Sequence, residues 1–474
     1  MRLDGMNVKF LTGTDEHGQK VENSAEKAGI TPQELTDKNS AVFQEMTKVL
    51  NISNDVFIRT TEQRHKIAVQ ALWKKLEENG DIYLGKYSGW YSVRDEAFYA
   101  EKELTADGLA PTGAPVEWVE EPSYFFALSK WQDRLLEHYE KYPEFILPES
   151  RRNEVISFVK GGLTDLSVSR TSFNWGVKVP GNAEHIIYVW LDALANYISA
   201  LGYPEQTDSY AKFWPAAAHV VGKDILRFHA VYWPAFLMAA GLELPKSIVA
   251  HGWWTNEGQK ISKSLGNVID PFGLVEEFGL DQVRYFLMRE ITFGNDGNFS
   301  RDSLIMRNNS ELANKIGNLL QRTSSFVFKH CNERIPELDS AYIEEVYKLP
   351  LMQEVLQAHK QNVVAMQAFQ INKVLDNIIH IAEQANVYID KEAPWALKNT
   401  DPERMKEILY FLLEVIRHLG IMLQPFIPYS AEKILDQLKV PKNERSFANL
   451  TKEFALSPAT PISQPTPIFP RLEQ

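Results

Sequence analysis

Cysteine is almost missing from this chain: Cys331 is the single one among 474 residues. That excludes a disulfide within the chain and a zinc knuckle built on thiolates. The eleven histidines are scattered, with no HExxH pair or comparable ligand spacing, so no structural metal is expected. No stretch of about 18 uncharged apolar residues occurs, which leaves no candidate for a membrane-spanning helix. The opening MRLDGMNVK is charged and lacks the apolar core of a secretory signal, so a reducing, cytoplasmic compartment is expected. Basic residues are in the minority, 50 against 62 acidic, for a net charge of −12. That balance argues against a surface coated in non-specific nucleic-acid contacts, while leaving room for a local basic face.

What is present is ordinary globular material, with 44% hydrophobic and 24% charged residues. A chain this long exceeds one hydrophobic core and divides into two or three domains. Residues 1–80 alternate strand and helix: VKFLT, a helix beginning near Thr31 with Pro32 in its first turn, and EQRHKIAVQALWKKLEENG ending at a C-terminal Gly80. From 81 to 148 the texture turns to aromatic–polar alternation and turn-rich connectors, the pattern of a small β-rich insertion. The α/β pattern resumes at 149–255, where HIIYVWLDALANYISALG, AAHVVGKDILRFHAVYWPAFLMAAG and SIVAHGWW read as strands of a mostly parallel sheet. Residues 256–302 carry a polar loop, and 303–450 read as helices only. In the latter, Ile371, Val374, Leu375, Ile378, Ala382 and Ala385 form one stripe, and EILYFLLEVIRHLGIMLQPF is apolar enough to be central in a bundle. Residues 451–474 form a Pro-rich tail suited to folding back over that bundle.

Lys260-Ile261-Ser262-Lys263-Ser264-Leu265-Gly266-Asn267 carries the sharpest chemical signal. Two lysines three apart, interleaved with hydroxyls, can neutralise charge that builds on a phosphate during transfer. An isolated KxxK is more often a solvated loop, so the reading rests on context, and context supplies it. KISKS resembles the KMSKS signature of class I aminoacyl-tRNA synthetases. FLTGTDEHGQK, GWYSVRDEAF, EEPSYFF, DLSVSR, YVWLDAL, HVVGKDILRFHAVYWPA, HGWWTNEGQKISKSLGN, ANKIGNLLQR and APWALK are similar to blocks of the methionyl-tRNA synthetase family, in family order across nearly the whole chain.

The resemblance implies a Rossmann-like α/β catalytic domain (1–80 and 149–255), interrupted by a connective insertion (81–148). A KMSKS and stem-contact region (256–302), an α-helical anticodon-binding bundle (303–450) and the tail would follow. It implies activation of L-methionine by ATP with Mg²⁺ and transfer to tRNA(Met), by a chain that is most simply a monomer with no membrane partner. Asp15 would hold the α-ammonium of methionine through a charge-assisted hydrogen bond, where a turn Asp alone would read as a local cap. Trp190, Ala193, Tyr197, Ile225 and His229 would line the thioether pocket; without the resemblance, these aromatics and His229 read as core. Gly222 would let the backbone approach the nucleotide and Asp224 would accept ribose hydroxyls. Arg170, His251 and Gly252 would stand beside ATP, although Arg170 taken alone suits a salt bridge. Lys260, Ser262, Lys263 and Ser264 would stabilise the α-phosphate transition state and the pyrophosphate. Asn318, Arg322 and Trp395 would read the CAU anticodon, Trp395 by stacking; Trp395 after a proline also suits a helix-start anchor.

Two departures from the family pattern stand out. Ser92 occupies GWYSVRDE where many relatives carry zinc-knuckle cysteines, so a zinc-free insertion held by aromatic packing is expected. The HIGH motif is absent, since no HxGH occurs in the chain; the family places it upstream of MRLDG, on a strand–turn–helix of roughly 30 or more residues. Two readings follow: a methionyl-tRNA synthetase whose given start is an internal methionine, or a tRNA-binding remnant with weak or no adenylation. A third, an isoleucine, valine or leucine enzyme, needs a large editing insertion for which 81–148 leaves no room.

Overall fold

The computed structural model describes residues 1–205, 207–261 and 266–473, without the side chains of Lys260 and Ser340. The chain forms two compact units, Lys9–His251 and Met1–Val8 with Gly252–Gln474. No helix among the described residues is long and apolar enough to cross a membrane.

In the first unit, β1 (Leu11–Thr14) leads into α1 (Gln19–Ala28) and α2 (Pro32–Val49), and then β2 (Val56–Arg59) pairs with β1 in parallel. Thr31 caps α2 with Pro32 in the first turn, and α3 (Gln63–Glu78) ends at Gly80, whose φ of +73° suits glycine, both as the sequence predicts. The β-rich insertion is real: β3 (Ile82–Ser92), β4 (Ala97–Tyr99) and β5 (Glu117–Phe126) are antiparallel neighbours. Rings hold it together, among them Tyr87–Phe98 at 4.4 Å, Tyr91–Phe98 at 5.0 Å and Trp90–Trp118 at 5.2 Å.

After α4 (Gln132–Lys141), β6 (Ile146–Leu147) and α5 (Glu149–Lys160), β7 (Leu166–Ser167) closes the insertion sheet in the order β4-β3-β5-β7. Next, β8 (Ser169–Arg170), β9 (Lys178–Val179) and β10 (Asn182–Ile187) form an antiparallel sheet of their own. The HII segment therefore does not join the parallel sheet that its apolar run predicts. A tight turn through Gly181, at φ +79°, joins β9 to β10, and this local hairpin replaces a long-range crossover. Helices α6 (Val189–Leu194), α7 (Asn196–Ser199) and α8 (Asp208–Phe213) follow, then β11 (Ala218–Gly222), α9 (Trp233–Ala239) and β12 (Ser247–His251). β11, β12 and β6 make a parallel sheet in that order, so the α/β class stands.

The second unit opens its sheet with β13 (Trp254–Asn256) and β14 (Gln259–Lys260). After α10 (Pro271–Phe278) and α11 (Leu280–Arg289) it adds β15 (Gly297–Phe299). The rest is helical: α12 (Arg301–Arg307), a π-type stretch Asn308–Gly317, α13 (Asn318–His330), α14 (Ser340–Val346), α15 (Pro350–Gln367), α16 (Ile371–Glu392), α17 (Pro394–Leu397), α18 (Pro402–Leu423) and α19 (Pro428–Gln437). Of the expected α16 stripe, Val374, Leu375, Ile378, Ala382 and Ala385 are buried and Ile371 at the helix start is half-buried, while every residue of α18 from Ile408 to Leu423 is buried. The tail does fold back: Ile462, Ile468 and Phe469 join the bundle core, and the Ile462 N–H donates to the Glu333 carbonyl at 2.9 Å.

A helix buried all round must neutralise its own polar residues. Glu414, Arg417 and His418 of α18 do so together: the Glu414 carboxylate accepts from Arg417 Nε at 2.8 Å, the Tyr347 hydroxyl at 2.5 Å and the Leu456 N–H at 3.1 Å. Although burial opposes the charge, the Arg417 guanidinium holds the Glu414 carboxyl down at about 2. Its stabilising contribution is therefore complete above the ordinary carboxylate range and lost as pH falls through about 2. Arg417→Met, which strands that charge, is expected to cost about 3–5 kcal/mol in urea unfolding at neutral pH, and less near pH 2.

Candidate active site and anticodon face

In the Lys9–His251 unit, the chain leaves β1 through Asp15-Glu16-His17-Gly18, and bonds from several elements pin this turn. The Glu16 N–H donates to Thr60 Oγ1 at 2.9 Å, Arg59 Nε donates to Glu16 Oε1 at 2.7 Å, and Trp175 Nε1 donates to the Glu16 carbonyl at 2.6 Å. Gly18 sits at φ +112°, a backbone conformation that strains any other residue, and a Cβ there would push aside the end of the Glu96 side chain, 2.3 Å away. His17 Nδ1 reaches Asp192 Oδ2 at 2.6 Å, His65 Nε2 reaches Asp192 Oδ1 at 2.7 Å, and His65 Nδ1 lies 2.9 Å from Ser199 Oγ. Burial opposes the Asp192 charge, yet the two histidines hold this carboxyl well below the usual range. Asp15 is exposed to solvent at its own surface, with these charged groups close around it. Burial, followed by the neighbouring Asp192 charge, pushes its carboxyl up to about 6.

Most of the residues expected to line a thioether pocket are brought together around His229. Trp190 and Ala193 lie on α6 and Tyr197 on α7; Ile225 and His229 lie in the segment after β11. The Tyr197 hydroxyl donates to His229 Nε2 at 2.8 Å, and His229 Nδ1 donates to the Ile225 carbonyl at 3.0 Å, an acceptor that fixes this tautomer. Burial lowers His229 to about 4, so it is neutral at physiological pH. Trp190 stacks on Phe228 at 3.9 Å and Tyr197 on His219 at 3.9 Å, giving a ring-lined, polarisable wall. Asp15 lies close enough to Tyr197 for its charge to act on the phenol.

Gly222 and His251 are register partners at the carboxyl ends of the parallel strands β11 and β12, the edge where open α/β sheets bind ligands. A Cβ at Gly222 would lie 2.5 Å from Asp224 Oδ1. Asp224, Ile225 and Trp190 also line a cavity of about 700 Å³, together with Lys20, Glu96, Phe98 and Arg227. Glu96 accepts from the Lys20 main chain, and burial pushes its carboxyl up to about 7. Arg170 does not line this cavity. It is buried, paired with Glu121 at 2.8 Å and set over the Tyr91 ring at 3.9 Å, so it fastens β8 to the insertion.

In the second unit, a Cβ on Gly252 would lie 2.1 Å from the Asn295 carbonyl oxygen. Ser262, Lys263, Ser264 and the Lys260 side chain lie outside the described residues; the flanks of that segment meet where Asn256 Nδ2 donates to the Asn267 carbonyl at 2.8 Å. Farther on, Arg322 of α13 lies over the Trp395 ring at 5.4 Å and pairs with Asp390 at 2.5 Å. Trp395 itself is 46% exposed. Asn318 lines an open notch of about 520 Å³ with Gln321, Phe469 and Arg471.

Residue-type reasoning missed His17, His65, Asp192 and Glu96. The available signal was a lone aspartate inside the apolar run VWLDALANYI and a histidine on the otherwise apolar face of α3.

A family model described as tRNA synthetases class I (M) matches residues 1–113 and 109–324, and one described as the anticodon binding domain of methionyl tRNA ligase matches 341–474. Together with the parallel-sheet site and the helical bundle, these matches define a class I aminoacyl-tRNA synthetase with a Rossmann-like catalytic domain and a helical anticodon-binding domain. A methionine–tRNA ligase of Rickettsia felis is 66% identical over 473 residues, covering 100% of this chain and 92% of its own, and one of Rhizobium meliloti is 54% identical, covering 99% and 92%. The crystal structure of Mycobacterium tuberculosis methionyl-tRNA synthetase bound by methionyl-adenylate superposes with a TM-score of 0.94 at 48% identity, covering 99% of this chain and 93% of that one. The chain belongs to the methionyl-tRNA synthetase family.

A raised carboxyl carries a stability cost when ionised. For Asp15 that cost is absent below the ordinary carboxylate range and complete above about 6. Asp15→Asn is therefore expected to raise the thermal midpoint of the free chain near pH 8 and leave it unchanged near pH 3.5, which a thermal-shift series would read.

Proposed function

We infer that the chain activates L-methionine with ATP and transfers the methionyl group to tRNA(Met). The observation that carries this reading is the ring-lined pocket closed by Tyr197, His229 and Ile225, with the Asp15 carboxylate close by. A thioether suits that wall, because the neutral His229 brings no charge into it. The Asp15 carboxylate provides for an ammonium. ATP enters as its Mg²⁺ complex at the Gly222–His251 strand ends, with Asp224 accepting ribose hydroxyls and Arg170 bracing the neighbouring sheet. Gly252 keeps the following turn open to close approach. Lys260 and Lys263, with Ser262 and Ser264, neutralise charge at the α-phosphate and the departing pyrophosphate.

Asn318, Arg322 and Trp395 read the anticodon. The support is an exposed indole already oriented by a guanidinium. In this reading the insertion, 81–148, is zinc-free, 303–450 is the anticodon domain, and the protein works as a cytoplasmic monomer. Trp395→Ala is expected to weaken tRNA(Met) binding about tenfold or more while leaving methionine binding unchanged, measured by filter binding and calorimetry. Equal losses in both would contradict the assignment.

Lys263→Ala is expected to lower ATP–pyrophosphate exchange far more than methionine affinity; equal losses in both would contradict the role given to the KISKS segment at the α-phosphate.

A further inference from the structure

Asp192 is buried between Trp190 and Ala193 on α6, and its two oxygens are both taken by histidines from elsewhere in the chain. His17 belongs to the turn that carries Asp15, and His65 to the first turn of α3. One carboxylate therefore ties the turn bearing the ammonium partner to the helix bearing two thioether-pocket residues. The groups that act on Asp15 from surrounding elements are Asp192 of α6, His65 of α3, Tyr197 of α7, Glu96 of the insertion, and His17 and Glu16 of its own turn.

We propose that Asp192 is a positioning residue for the ligand's α-ammonium: through His17 it fixes the Asp15 turn against α6, and it places a buried negative charge behind the exposed Asp15. The inference rests on the reading of Asp15 as the ammonium partner. An ionised Asp192 accepts from His17 Nδ1–H and His65 Nε2–H, while His65 Nδ1 lies 2.9 Å from Ser199 Oγ, whose hydroxyl donates to the Asn196 carbonyl at 3.2 Å. An asparagine at this position can keep all three bonds. Its carbonyl accepts from His17, its amide donates to His65 Nε2, and the displaced proton moves to His65 Nδ1 to be donated to Ser199 Oγ. Asp192→Asn thus removes the charge while leaving a hydrogen-bonded core that can fold.

The experiment measures binding of L-methionine and of its analogue 2-hydroxy-4-(methylthio)butanoate, which has the same side chain and carboxylate but no ammonium, to the full chain near pH 7.5. Asp192→Asn is expected to weaken methionine about fivefold to tenfold and leave the analogue within about twofold. His17→Leu, which cuts the tether and keeps the carboxylate, should weaken methionine in the same selective way. His17→Asn, whose side-chain amide can replace Nδ1–H, should restore it. Equal weakening of both ligands in Asp192→Asn and His17→Leu would assign the network a structural role only, and no weakening of either would remove it from the site; both results overturn the proposal. Asp15→Asn separates the two levels. If it leaves methionine affinity intact, the Asp15 reading fails. If it abolishes the ammonium preference while both network variants retain it, only the present inference fails.

Discussion

The catalytic unit turns on one constraint, a carboxylate that is buried, ionised and fully used. Asp192 is taken out of water, which by itself would neutralise it, and two imidazole N–H donors keep it charged. Those donors lie far from it in sequence, so the same bonds that keep the charge also determine where the β1 exit, the start of α3 and α6 meet. The Asp15 turn, the Gly18 entry to α1 and the Trp190–Ala193 wall all inherit their positions from that junction. Breaking it by deletion would leave His17 Nδ1 and His65 Nε2 buried without their partner.

The rest of the site follows the same rule, that polar groups inside are either paired or neutral. His229 has each ring nitrogen hydrogen-bonded and is kept uncharged by burial, which suits a pocket for an apolar thioether. Asp15 departs from the rule. Its carboxyl is raised toward neutrality, and in the proposed function a cationic ligand would relieve that tension, so that affinity for an ammonium would come from a group the free chain holds at a cost. The second unit shows the completed version: Glu414 and Arg417 satisfy each other inside α18, Glu414 accepting from Leu456 of the returning tail and Arg417 donating to the Asn449 carbonyl just before it.

Much of this was legible in the sequence, for identifiable reasons. The α16 stripe, the apolar α18, the Thr31-Pro32 helix start and the Gly80 end are local patterns governed by helical periodicity and backbone geometry. Trp190, Tyr197, Ile225 and His229 emerged together because the family resemblance supplied the long-range information that composition lacks. The antiparallel pairing of HII did not emerge, since an apolar run is compatible with either kind of sheet and the Gly181 hairpin decides between them. Asp192, His65 and His17 stayed hidden for the same cause. Each reads locally as a stray polar residue, and their meaning appears only when residues 17, 65 and 192 converge. Arg170 was read toward ATP, whereas its contacts in the folded chain are Glu121 and Tyr91.

The central claim is that the ring-lined pocket beside Asp15 selects methionine. The most direct measurement is displacement of labelled L-methionine from the full chain by each of the other nineteen amino acids at equal concentration near neutral pH. The account predicts that none of them displaces it appreciably. Displacement by leucine, isoleucine or valine as effective as by unlabelled methionine would contradict the account.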